Sequence, residues 1–137
     1  MATYNKFNAF VEDIHNKVHD LANDEIKVVL ANNTNPPVAT DSIFTDLIGA
    51  VSMANAGDVT VTTTSSTETA GVYALVLVDK VLTATGAVGP FQWVVLYNDT
   101  STNKSLIGYY DYGTEISLAT SETFSLDFDP TGLFQTT

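Results

Sequence analysis

The segment FQWVVLYN, residues 91–98, has apolar side chains at nearly every position. Because successive side chains of a β-strand point to opposite faces, a strand here would be apolar on both faces. One face is predicted to hold Phe91, Trp93, Val95 and Tyr97, and the other Val94 and Leu96. Such strands are covered on two sides, so we predict a central strand here and another at GVYALVLV, residues 71–78.

Short segments rich in Val, Thr and aromatic residues surround these two strands at fairly even spacing, with turn residues between them. In ETFSLDF, residues 122–128, apolar and polar positions alternate, and EIKVVLA, residues 25–31, has one apolar face of Ile26, Val28 and Leu30. This pattern is typical of antiparallel sandwiches and barrels. We therefore predict a mainly β fold, an antiparallel β-sandwich or jelly-roll-like domain over residues 25–129 with a C-terminal tail over 130–137.

Residues 4–22 have the periodicity of an amphipathic α-helix that ends near Asn23. Apolar residues recur at steps of three and four and form one stripe: Phe7, Phe10, Val11, Ile14, Val18 and Leu21. We expect Phe7, Phe10 and Ile14 to pack against the sheet or against a partner subunit. The length of 137 residues fits a single domain, 1–137, that includes this helix.

The charge of the chain excludes one large class of function. Sixteen acids face five lysines, there is no arginine, and the net charge is −11. Nucleic-acid recognition depends on Arg and Lys, so we predict no binding of DNA or RNA.

No apolar run approaches the roughly 20 residues of a membrane helix, so we expect no membrane association. There is no cysteine and therefore no thiolate site.

The only two histidines, His15 and His19, stand four residues apart and would lie on one side of a helix. Zinc proteases use the pattern His-Glu-x-x-His, in which the glutamate is the base. Here Asn16 and Lys17 follow the first histidine, so the base is missing and a lysine opposes a cation. We predict no metal site and no cofactor, with both histidines packing against strands.

Motifs of nucleophilic or phosphate chemistry are also missing from the sequence. There is no Gly-x-Ser-x-Gly motif, and the segment GAVGP, residues 86–90, lacks the spacing and the lysine of a phosphate-binding loop. We therefore predict that the chain is not an enzyme.

Four tyrosines lie on two predicted strands joined by the loop NDTSTNKS, residues 98–105. They are Tyr97, Tyr109, Tyr110 and Tyr112. Tyrosines beside acids can stack on sugar rings, or they can close a core or a subunit contact with their hydroxyl groups in water. We favour the second interpretation and keep the first as an alternative.

Several phrases together resemble a group of small structural proteins of tailed-bacteriophage virions. The phrases are MATYNKFNAFVEDIHNKVHDL (1–21), DEIKVVLANNTNPPVAT (24–40), TATGAVGPFQWVVLYNDTSTNKSLIGYYDYG (83–113) and ETFSLDFDPTG (122–132). The likeness is most specific in the third phrase and weakest over 43–70. The resemblance implies a capsid decoration (cement) protein that is made in the host bacterial cytoplasm, binds the major capsid protein and resides on the capsid surface. It implies no catalytic residues. The alternatives are a tail or neck component and a host-glycan-binding fibre module.

The second apolar face of residues 91–98 predicts self-association. A small sandwich has one interior, and one helical stripe is too narrow to cover both central strands. An uncovered remainder would form a patch that monomers rarely tolerate, so we predict a homotrimer with Trp93 or Tyr97 at or near the contact. The candidate contact residues are Phe7, Phe10, Ile14, Trp93, Tyr97, Tyr109, Tyr110 and Tyr112.

Overall fold

The computed structural model of the chain describes residues 3–136, and for Gln135 and Thr136 it describes the backbone only. The described chain is mainly β, with one short α-helix near its N-terminus. The strands are β1 (Tyr4–Lys6), β2 (Ile26–Ala31), β3 (Thr60–Val61), β4 (Thr63–Thr69), β5 (Val72–Leu77), β6 (Lys80–Thr83), β7 (Val88–Asn98), β8 (Leu106–Leu118), β9 (Thr123–Leu126) and β10 (Gln135–Thr136). The helix is α1 (Ala9–His15), and a 3-10 turn spans Phe44–Asp46.

The strands form antiparallel sheets that pack as a sandwich-like fold, which confirms the predicted fold class. The largest sheet has the order β1-β8-β7-β2-β3, with β7 at its centre. A three-stranded sheet has the order β10-β5-β4, and β6 pairs with β9. The long β7–β8 hairpin gives the large sheet a rigid centre, because each of its strands pairs along most of its length.

One face of the large sheet supplies the main core. Val94 and Leu96 of β7 pack there with leucines of the other sheets, such as Leu75 and Leu126. Phe91 joins them, although simple alternation predicted it on the face of Trp93. The pairing with β8 is irregular at this point: Phe91 lies opposite Ile116 and Trp93 opposite Asp111, so the alternation of β7 is interrupted where its pairing with β8 is not regular.

The opposite face of the large sheet is covered by the chain itself. Val95 and Tyr97 form a second apolar cluster with Phe7, and Phe44 and Leu47 from the segment around the 3-10 turn complete it. Tyr97 is only 8% exposed. The premise that this face needs a partner subunit was therefore wrong. The segment SIFTDLIGAV, residues 42–51, has no regular period and still provides the cover.

The predicted helix over 4–22 is wrong in its extent. Residues Tyr4–Lys6 form a strand that pairs with β8, and the helix spans only Ala9–His15. It ends because Lys17 adopts a left-handed backbone with φ 62°. The amide of Val18 then donates to the carbonyl of Asp13, and the amide of Lys17 donates to the carbonyl of Ile14. These two hydrogen bonds define a Schellman motif. The stop therefore comes at Lys17, earlier than the predicted end near Asn23.

The predicted C-terminal tail over 130–137 belongs to the fold for most of its length. Leu133 is buried, and its amide bonds the carbonyl of Leu75 at 2.6 Å. The next residues, Gln135 and Thr136, pair with β5. Burial of Leu133 fixes this segment against the second sheet, whereas Thr137 lies outside the described residues.

Candidate functional site

The predicted contact residues do not form one surface. Four of them are buried within the chain: Phe7, Phe10, Tyr97 and Tyr110. The other four are partly exposed: Ile14, Trp93, Tyr109 and Tyr112. A buried side chain has no surface left for a partner, so only the second set can take part in a contact without rearrangement of the domain.

The four tyrosines are divided between the two faces of the large sheet. Tyr110 and Tyr112 lie on the side of the main core, where Tyr112 meets Phe124 edge-on with 5.0 Å between ring centroids. Tyr97 and Tyr109 lie on the opposite side. Burial raises the pKa of Tyr110 above its ordinary value, as expected for a phenol that is a core group. The tyrosines therefore make no common platform.

Trp93 and Tyr109 are a partly exposed aromatic pair on the second face. Their ring centroids lie 6.0 Å apart with the ring planes tilted by 48°. The indole N–H of Trp93 donates to Oδ1 of Asn33 at 3.2 Å, and Tyr109 packs on Phe7. The pair is fixed in place, and its tilt makes it an uneven surface rather than a flat one.

A groove of about 740 Å³ runs beside α1 on the other side of the molecule. Its apolar walls come from α1, from the turn that follows it, from β5 and from the C-terminal segment: Phe10, Val11, Ile14, Leu21, Tyr73 and Phe134. The volume lies within the usual range for binding sites, and the mixture of aromatic walls with a few polar groups is typical of them. We therefore take the groove as a candidate binding site of the described chain.

Lys6 lies at the rim of the groove and forms no ion pair with the described residues. Within residues 3–136, Lys27, Lys80 and Lys104 form ion pairs, whereas Lys6 at the rim forms none. The rim acid Asp20 accepts a hydrogen bond from the Asn23 side chain at 2.9 Å. The Lys6 ammonium group is therefore the group at this rim best able to pair with a carboxylate of a bound molecule.

His19 lies at the back of the groove in a buried polar network. The side-chain amide of Asn98 is oriented by the backbone amides of Thr100 and Ser101, which donate to its oxygen at 3.0 and 3.2 Å. Its nitrogen therefore donates to His19 Nδ1 at 3.0 Å and to an Asp24 oxygen at 2.6 Å. Since Nδ1 accepts, the proton of the neutral imidazole resides on Nε2.

The Nε2 atom of His19 is buried without a hydrogen-bond partner in the described chain. The nearest carboxylate oxygen, Oδ2 of Asp13, is 4.0 Å away. Burial lowers the pKa of His19 from 6.5 to about 4, so the neutral form is the one that the fold contains. This network joins the turn after α1 to the end of β7 and acts as a structural element.

The two histidines do not act together. His15 is exposed and its Nδ1 bonds the carbonyl of Val11 at 2.8 Å, whereas His19 is buried. Across residues 3–136 no three His, Asp or Glu side chains come together in a way that could hold a metal ion. In the same part of the chain no helix is long and apolar enough to cross a membrane.

Sequence reasoning found half of the groove and missed the rest. The helical stripe contains Phe10 and Ile14, but Tyr73 and Phe134 come from segments that are distant in sequence. The signals available were weak: an aromatic residue in an apolar strand, and a phenylalanine in the presumed tail. Nothing in the sequence shows that these two residues and Lys6 meet at one groove.

The chain was also compared with known proteins. It matches no family model, no curated protein and no solved structure. The function must therefore be argued from the resemblance of the sequence and from the surfaces described above.

Proposed function

We propose that this chain is a non-enzymatic structural protein of a tailed-phage virion, and specifically a capsid decoration protein that stabilises the head by binding the major capsid protein. The observation that carries the proposal is the sequence likeness of the phrase over 83–113. That phrase covers β7, the loop that follows it and β8 as far as Gly113. The likeness thus falls on the framework of the domain, and the framework is what relatives in such a group would share.

Four physical features support an assembly role. The domain is cysteine-free, and its net charge of −11 disfavours contact with packaged DNA. The large sheet is covered on both faces by its own chain, so the domain is compact without a partner. The groove beside α1 then leaves an apolar surface free for contacts, and repeated weak contacts on a capsid add up to firm attachment.

The partners of this proposal are the major capsid protein and other copies of the chain, as a homotrimer at a three-fold position of the capsid. The place of action is the virion surface after synthesis in the host cytoplasm. Tyr97 is no longer a candidate for the trimer contact because it is buried within its own chain.

The test is co-sedimentation of the purified chain with empty heads assembled from the major capsid protein encoded in the same genome. We expect saturable binding in a fixed ratio to capsid subunits and heads that melt at a higher temperature. Heads that bind no chain at micromolar concentration would refute the decoration role. Binding to purified tails instead would assign the chain to the tail or neck.

One specific feature favours a second candidate, a glycan-binding module. Trp93 and Tyr109 are partly exposed, and the side chains of Gln92 and Asp111 bond each other beside them at 2.8 Å. Aromatic and polar groups together are what sugar rings require. Trp93 is the only tryptophan, so its fluorescence reports directly on this surface. A saturable change in Trp93 fluorescence on addition of host surface oligosaccharides would favour this function over decoration, provided that Tyr109→Ala abolishes the change.

A further inference from the structure

We infer that copies of this chain associate head to tail, with the turn around Ile48 of one copy seated in the groove beside α1 of the next. Ile48 is 79% exposed, the most exposed large apolar side chain of the described residues. The groove offers apolar walls and, on its rim, Lys6, which forms no ion pair within residues 3–136. The inference rests on the self-association included in the proposed function and specifies which surfaces make that contact.

The turn that carries Ile48 is held in one conformation. The amide of Ile48 bonds the carbonyl of Asp46 at 3.0 Å, and the amide of Ala50 bonds that of Leu47 at 3.2 Å. Leu47 is buried in the second apolar cluster and anchors the turn to the sheet. An apolar side chain on such a fixed support loses little conformational freedom when it binds, which favours association.

The turn cannot occupy the groove of its own copy. Leu47 packs on the face of the sheet that holds Val95 and Tyr97. Phe10 and Leu21 of the groove belong to the core on the opposite face. A contact between two different surfaces is heterologous, and it closes into a ring when the rotation between copies allows it. A trimer built from this contact does not require Trp93 of one copy to meet Trp93 of another.

Charge supports the same pairing. The Asp46 carboxylate stands two residues before Ile48, and backbone hydrogen bonds from Ser42 and Ile43 hold its pKa below the ordinary value, so it is ionised at neutral pH. Lys6 at the groove rim has no ion-pair partner among residues 3–136. Between copies that each carry a net charge of −11, such a pairing offsets part of the repulsion.

The test uses two variants, one that alters the turn around Ile48 and one that blocks the groove. Ile48→Asp removes the apolar side chain, and Ala22→Trp fills the groove from an exposed position on its wall. In sedimentation velocity the wild-type chain should form a closed oligomer, and each variant alone should be a monomer. An equimolar mixture should form a 1:1 heterodimer and nothing larger, because one intact turn and one intact groove remain.

Matched controls separate this contact from general effects on the fold. Val38→Asp places the same charge at another exposed apolar residue, four residues before the covering segment, and should leave the oligomer unchanged. Lys6→Gln should weaken association about threefold, whereas Lys17→Gln should not. Circular dichroism should show that all variants are folded.

Three results would overturn the inference. They are an Ile48→Asp variant that stays oligomeric, a mixture of folded variants that forms no heterodimer, and a wild-type chain that is monomeric at 100 µM. A wild-type monomer that still binds heads would remove this contact and leave the decoration role intact. A wild-type monomer whose groove binds the probe anilinonaphthalene sulfonate, with loss of binding in Ala22→Trp, would assign the groove to a different partner.

Discussion

Phe44 packs edge-on against Tyr97, with 4.9 Å between the ring centroids, and so joins an irregular segment to the central strand of the large sheet. This contact is part of the cover that the chain places over its own second apolar face. It explains why a strand that is apolar on both faces does not by itself require a partner subunit.

The first prediction concerns this cover. Phe44→Ala should lower the free energy of unfolding by about 2–3 kcal/mol, because it removes a partly buried ring and opens Tyr97 to water. The control, Val38→Ala just before that segment, alters a side chain that is 49% exposed and should change stability by less than about 0.5 kcal/mol. Urea unfolding gives both values. Equal effects of the two substitutions would show that the segment does not cover the sheet.

The second prediction compares neighbouring residues of α1. Phe10 is buried and meets Phe134 edge-on with 5.2 Å between ring centroids, whereas the next residue, Val11, is 44% exposed. Phe10→Ala should lower the free energy of unfolding by about 3–5 kcal/mol, and Val11→Ala by less than about 1 kcal/mol. A loss below 1 kcal/mol for Phe10→Ala would mean that the helix is detached from the sheet in solution.

Strand alternation was the most reliable signal in the sequence. In residues 122–128, Phe124, Leu126 and Phe128 are buried and Asp127 is exposed, as predicted. The strand with Ile26, Val28 and Leu30 on the core face is also confirmed. For residues 122–128 the prediction succeeded because a strand with one face in water alternates, so the pattern directly reflects burial. Strand β2 differs, since Val29 is buried in the second apolar cluster and both faces of the strand are covered.

The position of Phe91, the end of α1 and the groove depend on backbone conformation and tertiary contacts, which the apolar pattern of the sequence does not show. Phe91 lies on the core face where the pairing of β7 with β8 is irregular, and simple alternation does not show that irregularity. The end of α1 is decided by the backbone of Lys17, a residue type that rarely takes a left-handed conformation. The groove depends on Tyr73 and Phe134 meeting across 61 residues of sequence (134 minus 73). Each of these is a tertiary outcome.

The third prediction follows from the end of α1. Because glycine adopts a left-handed backbone without a steric penalty, Lys17→Gly should raise the free energy of unfolding by about 0.5–1 kcal/mol. Asn16→Gly is the control: its φ is −96°, so glycine there adds only unfolded-state entropy and should destabilise. Thermal unfolding of the two variants should shift in opposite directions. A lower melting temperature for Lys17→Gly would contradict the Schellman geometry.

The fourth prediction concerns the close approach of β1 to β8. A Cβ atom added at Gly108 would lie 2.1 Å from a ring carbon of Tyr4. Gly108→Ala should therefore displace that ring and lower the free energy of unfolding by about 1–3 kcal/mol. In a Tyr4→Ala background the same substitution should be nearly neutral, so a double-mutant cycle should give a coupling above about 1 kcal/mol. Additive effects would show that Tyr4 does not cross Gly108.

The last prediction is the dependence of stability on pH. Burial lowers the pKa of His19 from 6.5 to about 4 in the folded chain, so the unfolded chain binds a proton more readily. The stabilisation is then complete above pH 6.5 and is lost progressively as the pH falls from 6.5 towards 4. Protonation would also put a hydrogen on Nδ1, which faces the Asn98 amide donor at 3.0 Å.

The measurement is urea unfolding between pH 7.5 and 5.5, a range chosen to lie above the ordinary titration of carboxyl groups. The wild-type chain should lose stability steadily across the lower half of this range. His19→Gln should be less stable at pH 7.5 and should show a flatter profile. His15→Gln should keep the wild-type slope, because His15 is exposed and lies outside the buried network. Equal slopes in wild type and His19→Gln would show that His19 is not the group responsible, since removal of the titrating imidazole must remove its proton linkage.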